Sequence, residues 1–117
     1  MQNEQSEVYP MLYELRMYDV TPGKMPALLD RFRDHAVDLF RKHGMTITQF
    51  WQDADEARNR LYYVVEHPDM EARDANYERF RNDPEWLEVR RTSELDGPLI
   101  QKQESLFMHQ ASFFHQS

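Results

Sequence analysis

Hydrophobic and polar residues alternate near the start of the chain. From Met11 to Tyr18 the apolar positions repeat with period two, which predicts a β-strand with one face against a core. The more apolar row, which we expect to face the helices, consists of Tyr13, Leu15 and Met17. The opposite row consists of Leu12, Glu14, Arg16 and Tyr18.

The spacing of apolar residues then changes to that of a helix. Between Met25 and His43 they recur every three or four positions, and Gly44 is well suited to end the helix in a left-handed conformation. Segments rich in β-branched and aromatic residues predict two further strands, at 46–52 and 61–67. The polar turn between them makes the pair a hairpin.

The second half of the chain repeats the helix-then-strand order. An apolar stripe predicts a helix over 70–81. Asp83 is a good N-cap and Pro84 suits the first position of a short helix that ends near Arg91. Extended structure returns within 99–109. This order predicts an α+β domain with a ferredoxin-like split βαβ fold and a four-stranded antiparallel sheet.

A sheet of this kind carries its helices on one face and leaves the other open. An open face with aromatic residues usually needs a partner, so we expect a homodimer whose two sheets enclose a chamber. With the facing predicted above, the chamber would contain Glu14, Arg16 and Tyr18. The C-terminal aromatic residues, expected to pack across the same interface, are Phe107, Phe113 and Phe114.

Composition limits the organisation and the partners. The 117 residues are enough for one domain, predicted at 11–117, preceded by a polar and flexible N-terminal arm at 1–10. The net charge of −7 argues against nucleic acid as a partner. The sequence contains no cysteine, which excludes disulfides and cysteine-based catalysis or metal sites. Without a signal segment or a long apolar run, we expect a cytoplasmic protein with no membrane partner.

The charged row of the first strand suggests a ligand site. In one interpretation Arg16 anchors an anionic or carbonyl group, while Tyr18 and either Trp51 or Phe50 form apolar walls. In the alternative interpretation Glu14 and Arg16 form an ordinary ion pair in a solvated groove.

Three residues are candidates for proton transfer. Glu14 could act as an acid or base, and His67 or His109 could pair with it if either side chain points toward it. The histidines show no metal-binding spacing, so we predict neither a metal nor a cofactor.

Several short motifs in a fixed order resemble the NIPSNAP family. They are YELRMYDVTPGKM at 13–25, KHG at 42–44, QFW at 49–51, NDPEW at 82–86 and QES at 103–105. The resemblance covers roughly 11–106 and implies a dimeric α+β barrel of ferredoxin-like subunits. It implies no particular reaction, because the family has no established general activity. Barrels of similar architecture include cofactor-free monooxygenases, haem-degrading enzymes and muconolactone-type isomerases, an analogy of fold alone.

Two functions follow as hypotheses. The first is binding or conversion of a small organic molecule with a polar or anionic group in a chamber of the dimeric barrel. The second is a non-enzymatic homodimeric module for protein interaction. An open cavity with converging polar groups would favour the first, and a chamber packed with side chains would favour the second.

Overall fold

Four antiparallel strands form the sheet of the domain. The structure is a computed structural model and describes residues 11–114; the predicted arm at 1–10 and the last three residues lie outside the described residues. The strands are β1 (Leu12–Val20), β2 (Thr46–Gln52), β3 (Arg60–His67) and β4 (Ile100–Met108). Their order across the sheet is β2-β3-β1-β4, and every neighbouring pair is antiparallel. The ferredoxin-like α+β prediction is therefore confirmed.

The helices cover one face of this sheet. They are α1 (Met25–Arg31), α2 (Val37–Lys42), α3 (Met70–Arg81) and α4 (Pro84–Ser93). The helix predicted over 25–43 is interrupted by a π-helical turn at Phe32–Ala36, which joins α1 to α2. Among residues 11–114, no helix has the length and apolar character needed to cross a membrane.

Local sequence signals fix the ends of these helices. Gly44 has φ 83°, the left-handed conformation expected of it after α2. Asp83 caps α4 by accepting a hydrogen bond from the backbone N–H of Glu85 at 2.8 Å, and Pro84 follows as the first helical residue. Asp69 caps α3 in the same way through Ala72 at 2.8 Å.

Aromatic rings fill much of the core between the sheet and the helices. Phe40 from α2 packs edge-on against Tyr77 and Phe80 of α3, with centroid distances of 5.7 and 4.6 Å. Phe80 in turn lies 4.7 Å from Trp86 of α4. These contacts link three helices into one layer, and Trp86 acts as a packing anchor for the shortest of the predicted helices.

The predicted facing of β1 is wrong. Glu14 is completely buried and Tyr18 and Val20 are nearly so, on the side of the helices. The row that lies on the open face, half-buried in the subunit, consists of Tyr13, Leu15 and Met17. Alternation distinguishes two rows but does not say which is inside. Here the row with Glu14 is inside because its carboxylate accepts hydrogen bonds from residues of α3, β3 and β4. These hydrogen bonds offset the free-energy cost of burying the charge.

Candidate ligand-binding site

A cavity of about 500 Å³ lies within the subunit, between the sheet and the helices. Its floor comes from β1 and β4, and its walls come from the π-helical turn, α3 and α4. The apolar side chains that line it are Phe32, Ala36, Phe40, Phe80, Trp86, Pro98 and Ile100. The cavity is therefore not the predicted chamber between two sheets, because the charged row of β1 faces the helices instead.

The π-helical turn shapes one wall of the cavity. Phe32 and Ala36, its first and last residues, both line the cavity. The Phe32 ring lies 5.0 Å from the Tyr63 ring and 6.2 Å from the Tyr18 ring. Since π-helical turns inside α-helices are rare and concentrate at functional sites, this interruption fits a binding role for the wall.

The Glu14 carboxylate lies beneath the cavity floor and accepts hydrogen bonds from four residues. Its partners are Ser105 Oγ at 2.7 Å, Arg73 Nη2 at 2.8 Å, Arg16 Nη1 at 2.9 Å and His67 Nε2 at 3.0 Å. Burial favours the neutral acid, but the hydrogen bonds from His67, Arg73 and Ser105 and the charge of Arg16 outweigh it and hold the pKa of Glu14 well below its ordinary value. Glu14 is thus a permanent carboxylate at neutral pH.

Arg16 connects this carboxylate to a pair of phenols. Its Nε donates to the Tyr63 hydroxyl at 2.6 Å, and its Nη2 lies 3.3 Å from the Tyr18 hydroxyl and 3.1 Å from Gln103 Oε1. The two hydroxyls are 2.6 Å apart. Burial is the main cause that raises the pKa of Tyr63, so its phenol stays protonated at neutral pH.

The ring of Tyr77 lies close to three guanidinium groups, of which that of Arg81 is the most distant, with its central carbon 5.9 Å from the ring centroid. The central carbons of Arg16 and Arg73 are 4.9 and 4.7 Å from its centroid, within the range of cation–π attraction. Its hydroxyl is buried and has no hydrogen-bond partner among residues 11–114. Burial raises the pKa of Tyr77, which keeps this hydroxyl protonated.

The lining of the cavity is strongly basic although the chain as a whole is acidic. Two charged lining residues, Lys102 and Glu104, lie 3.7 Å apart and offset each other. The only other acidic lining residue is Glu94, which Arg31 contacts at 3.0 Å. The arginines that line the cavity are Arg16, Arg31, Arg73, Arg81 and Arg90.

The structure brings part of the predicted site together. Arg16 and Tyr18 line the cavity, and Glu14 lies directly behind Arg16. His67 is fully buried and points toward Glu14, as the acid–base hypothesis required, but it does not line the cavity. Glu14 and Arg16 do form the ion pair of the alternative interpretation, at 2.9 Å, but the solvated groove predicted for it is wrong, because the Glu14 side chain is inaccessible to solvent.

The structure separates two other candidates from this site. His109 is exposed on the open side of the sheet, where its Nδ1 donates to the backbone oxygen of Met11 at 3.1 Å. Trp51 is 57% exposed and pairs with Tyr62 on the same open side. An irregularity in β2 before Gln49 sets this register, so it is Phe50, the alternative considered for the apolar wall, that faces the helices.

Sequence reasoning missed several polar residues around the cavity. Arg73 precedes Tyr77 by four positions, so both lie on one face of α3, a spacing that could have suggested a shared role. Gln103 and Ser105 belong to the QES motif and lie two positions apart on β4, so they share one face of the sheet. On that face they are the cross-strand neighbours of Tyr18 and Arg16. No local signal pointed to Tyr63, whose role depends on its pairing across the sheet with Arg16.

The histidine and carboxylate groups do not converge on a cation site. Within residues 11–114, no group of three or more such side chains could hold a metal ion. The groups that do line the cavity are arginines, phenols and apolar side chains, together with a few other polar residues.

Comparison with known proteins agrees with the family resemblance that the motifs indicate. The sequence profile described as NIPSNAP matches residues 13–115. The chain belongs to the NIPSNAP family. No curated protein matches it significantly.

Solved structures extend this comparison to the fold. An uncharacterised NIPSNAP domain protein from Burkholderia xenovorans is 25% identical, with a TM-score of 0.75 over 90% of this chain and 99% of its own. A NIPSNAP family protein of unknown function from Agrobacterium tumefaciens strain C58 is 24% identical, with a TM-score of 0.77 over 90% and 92% of the two chains. A proposed antibiotic biosynthesis monooxygenase from Nitrosomonas europaea is 16% identical, with a TM-score of 0.62 over 87% and 91%, and shows a shared fold alone.

Glu14 and its four partners Arg16, His67, Arg73 and Ser105 form what we call the Glu14 cluster. This cluster of the NIPSNAP protein predicts a specific dependence of stability on pH. Because the folded-state pKa of Glu14 lies below its ordinary value of 4.5, its contribution to stability is fully present above that pH and is lost as pH falls toward the folded-state pKa. Glu14→Gln should lower the free energy of unfolding at neutral pH by about 3 kcal/mol. It should also flatten the loss of stability on acidification.

Urea unfolding across a pH series measures both effects. Glu56→Gln, an exposed change in the turn between β2 and β3, is the matched control and should keep the wild-type profile. A Glu14→Gln protein that is as stable as wild type at neutral pH would contradict the buried cluster described here.

Proposed function

We propose that this NIPSNAP protein binds a small organic anion with an aromatic or similarly apolar body in the cavity between its sheet and helices. The observation that carries the proposal is the combination of converging arginines and aromatic walls in one cavity of an otherwise acidic chain. A cavity of about 500 Å³ falls within the usual size of small-molecule sites.

The arginines supply the preference for negative charge. Arg16 and Arg73 share the buried Glu14, and Arg31 is paired with Glu94, so part of their charge is compensated. Arg81 and Arg90 stand at the mouth with their side chains 57% and 60% exposed, and they pair there with Glu78 at 3.0 Å and Glu94 at 3.6 Å. A concave, partly desolvated surface focuses such a field and raises the local concentration of anions.

The aromatic walls supply the preference for an apolar body. The Phe80 and Trp86 rings lie 4.7 Å apart at an interplanar angle of 31° and together form part of the apolar wall. The Arg31 guanidinium lies 5.1 Å from the Trp86 ring, within the range of cation–π attraction. A ligand with an apolar body can pack against this wall and direct its charge toward Arg16.

The role that fits Glu14 is positioning rather than proton transfer. A general base needs a pKa near the working pH, whereas the hydrogen bonds to Glu14 hold its pKa far below that range. Its carboxylate instead holds Arg16 and Arg73 in fixed orientations. Binding is therefore the function that the geometry supports, and the catalytic roles considered for Glu14, His67 and His109 are not part of this proposal.

We further propose that a second copy of the chain covers the open sheet face. Three half-buried residues of β1 form its centre, namely Tyr13, Leu15 and Met17. Beside them on β4, Leu106 is 54% exposed, and Phe113 beyond the strand is 84% exposed. Exposed apolar side chains at the centre of an open sheet face support a symmetric interface, and the homodimer would leave each cavity within its own subunit.

The homodimer predicts that charge on this face separates the subunits. Leu106→Glu should convert a dimer to a monomer, because the new carboxylate would be buried against the partner. Sedimentation of the purified protein measures the mass, and Leu95→Glu, at an exposed position after α4, should remain dimeric. A monomeric wild-type protein would contradict the homodimer.

The basic mouth predicts the charge dependence of binding. The double variant Arg81→Gln/Arg90→Gln should bind 2-naphthoate about fivefold more weakly than wild type, since two exposed charges together contribute about 1 kcal/mol. Isothermal titration calorimetry measures the dissociation constants. Neutral 2-naphthalenemethanol should bind weakly to both proteins.

A second pair of exposed arginines supplies the matched control. Arg33 and Arg41 are 69% and 63% exposed and pair with aspartates, but they do not line the cavity. Arg33→Gln/Arg41→Gln should bind 2-naphthoate as tightly as wild type. Absence of measurable 2-naphthoate binding by the wild-type protein, or equal weakening by the two double variants, would overturn the proposal.

A further inference from the structure

We propose that the hydroxyls of Tyr18 and Tyr77 form a subsite beside Arg16 in which both donate hydrogen bonds to an oxygen of the ligand. The ligand then presents a deprotonated oxygen, such as that of a carboxylate, rather than an amide or alcohol. This inference rests on the proposed function and specifies the chemistry that the same cavity recognises. Two independent features of the hydrogen-bond arrangement lead to it.

The first feature is the direction of the hydrogen bonds around Tyr18. Arg16 Nε donates to the Tyr63 oxygen at 2.6 Å, because a guanidinium has donors only. Tyr63 is fully buried, and the Tyr18 hydroxyl, 2.6 Å away, is the one acceptor within its reach among residues 11–114. Tyr63 therefore donates its proton to Tyr18, since the reverse would leave a buried donor unpaired.

This direction leaves the proton of Tyr18 available to the cavity. The Tyr18 oxygen accepts from Tyr63 and is also within 3.3 Å of Arg16 Nη2, so its lone pairs face donors. Tyr18 lines the cavity. Its own O–H is thus oriented as a donor toward whatever occupies that space.

The second feature is the unpaired hydroxyl of Tyr77. The residue is 4% exposed and lines the same cavity, yet its oxygen has no hydrogen-bond partner among residues 11–114. A buried hydroxyl without a partner costs stability, so phenylalanine would serve packing at this position at least as well. A ligand atom that accepts its proton gives the hydroxyl a function.

Together the two tyrosines define the chemistry of the ligand atom. The centroids of both rings lie within 6 Å of the Arg16 guanidinium carbon, at 5.6 and 4.9 Å, so two phenol side chains and one cation share the same part of the cavity. An oxygen with only lone pairs satisfies such donors. An amide N–H₂ or an alcohol would place a further donor against them, which predicts that 2-naphthoate binds more tightly than 2-naphthamide.

Three tyrosine-to-phenylalanine variants test this subsite. Calorimetry measures the affinity for 2-naphthoate, and thermal unfolding without ligand measures stability. Tyr77→Phe should bind about tenfold more weakly while its Tm stays equal to or above that of wild type. Tyr18→Phe should also bind about tenfold more weakly, but with a lower Tm, because Tyr63 loses its acceptor. Tyr13→Phe, on the opposite face of the sheet, is the control and should match wild type in affinity.

The outcomes separate this inference from the proposed function. Suppose that wild type binds 2-naphthoate and that the Arg81→Gln/Arg90→Gln variant binds it more weakly. If Tyr18→Phe and Tyr77→Phe then bind it as wild type does, only the subsite is wrong. A clear fall in the Tm of Tyr77→Phe would also overturn it, since the hydroxyl would then have a structural partner. If wild type binds no 2-naphthoate, the proposed function fails and the subsite with it.

Discussion

One buried carboxylate on the central strand organises the polar side of this domain. Removing an ionised glutamate from water costs several kcal/mol unless charged and hydrogen-bonded partners replace the water. Glu14 receives such partners from its own strand, from β3, from α3 and from β4. Four elements of the fold thus meet at one side chain, and their relative positions depend on the hydrogen bonds of the Glu14 carboxylate.

The same carboxylate explains why the cavity can be basic and still stable. Arg16 and Arg73 would repel each other without a shared counter-charge, and Glu14 provides it from beneath the floor. Held in this way, Arg16 aligns Tyr63 and Tyr18, while both guanidinium groups flank the Tyr77 ring. These groups are therefore held in fixed positions, which would lower the entropic cost of the proposed binding.

Local signals were sufficient to predict the elements but not their facing. The bounds of β2 and α3, the cap at Asp83 and the left-handed Gly44 all follow from neighbouring residues, and the structure agrees with them. The inner face of β1 depends instead on distant partners, because Glu14 bonds to residues 53, 59 and 91 positions away. Hydrophobic alternation carries no information about such partners, so the more apolar row was assigned to the wrong side.

The site shows the same division between local and distant information. Arg16 and Tyr18 were identifiable because they stand on one row of one strand. The places of Tyr63 and Tyr77 in the site follow only from the sheet register and the packing of α3, which bring them beside Arg16. Trp51 illustrates the opposite case, since a single irregularity in β2 moves it to the open face despite its suitability as a wall residue.

A crystal structure of the protein with 2-naphthoate would show whether the Glu14 cluster holds an anion site between sheet and helices. We expect the carboxylate within hydrogen-bonding distance of the Tyr18 and Tyr77 hydroxyls beside Arg16, with the naphthalene rings against Phe80 and Trp86. Naphthoate bound only on the open sheet face, or in the cavity with its carboxylate directed away from Arg16, would contradict it.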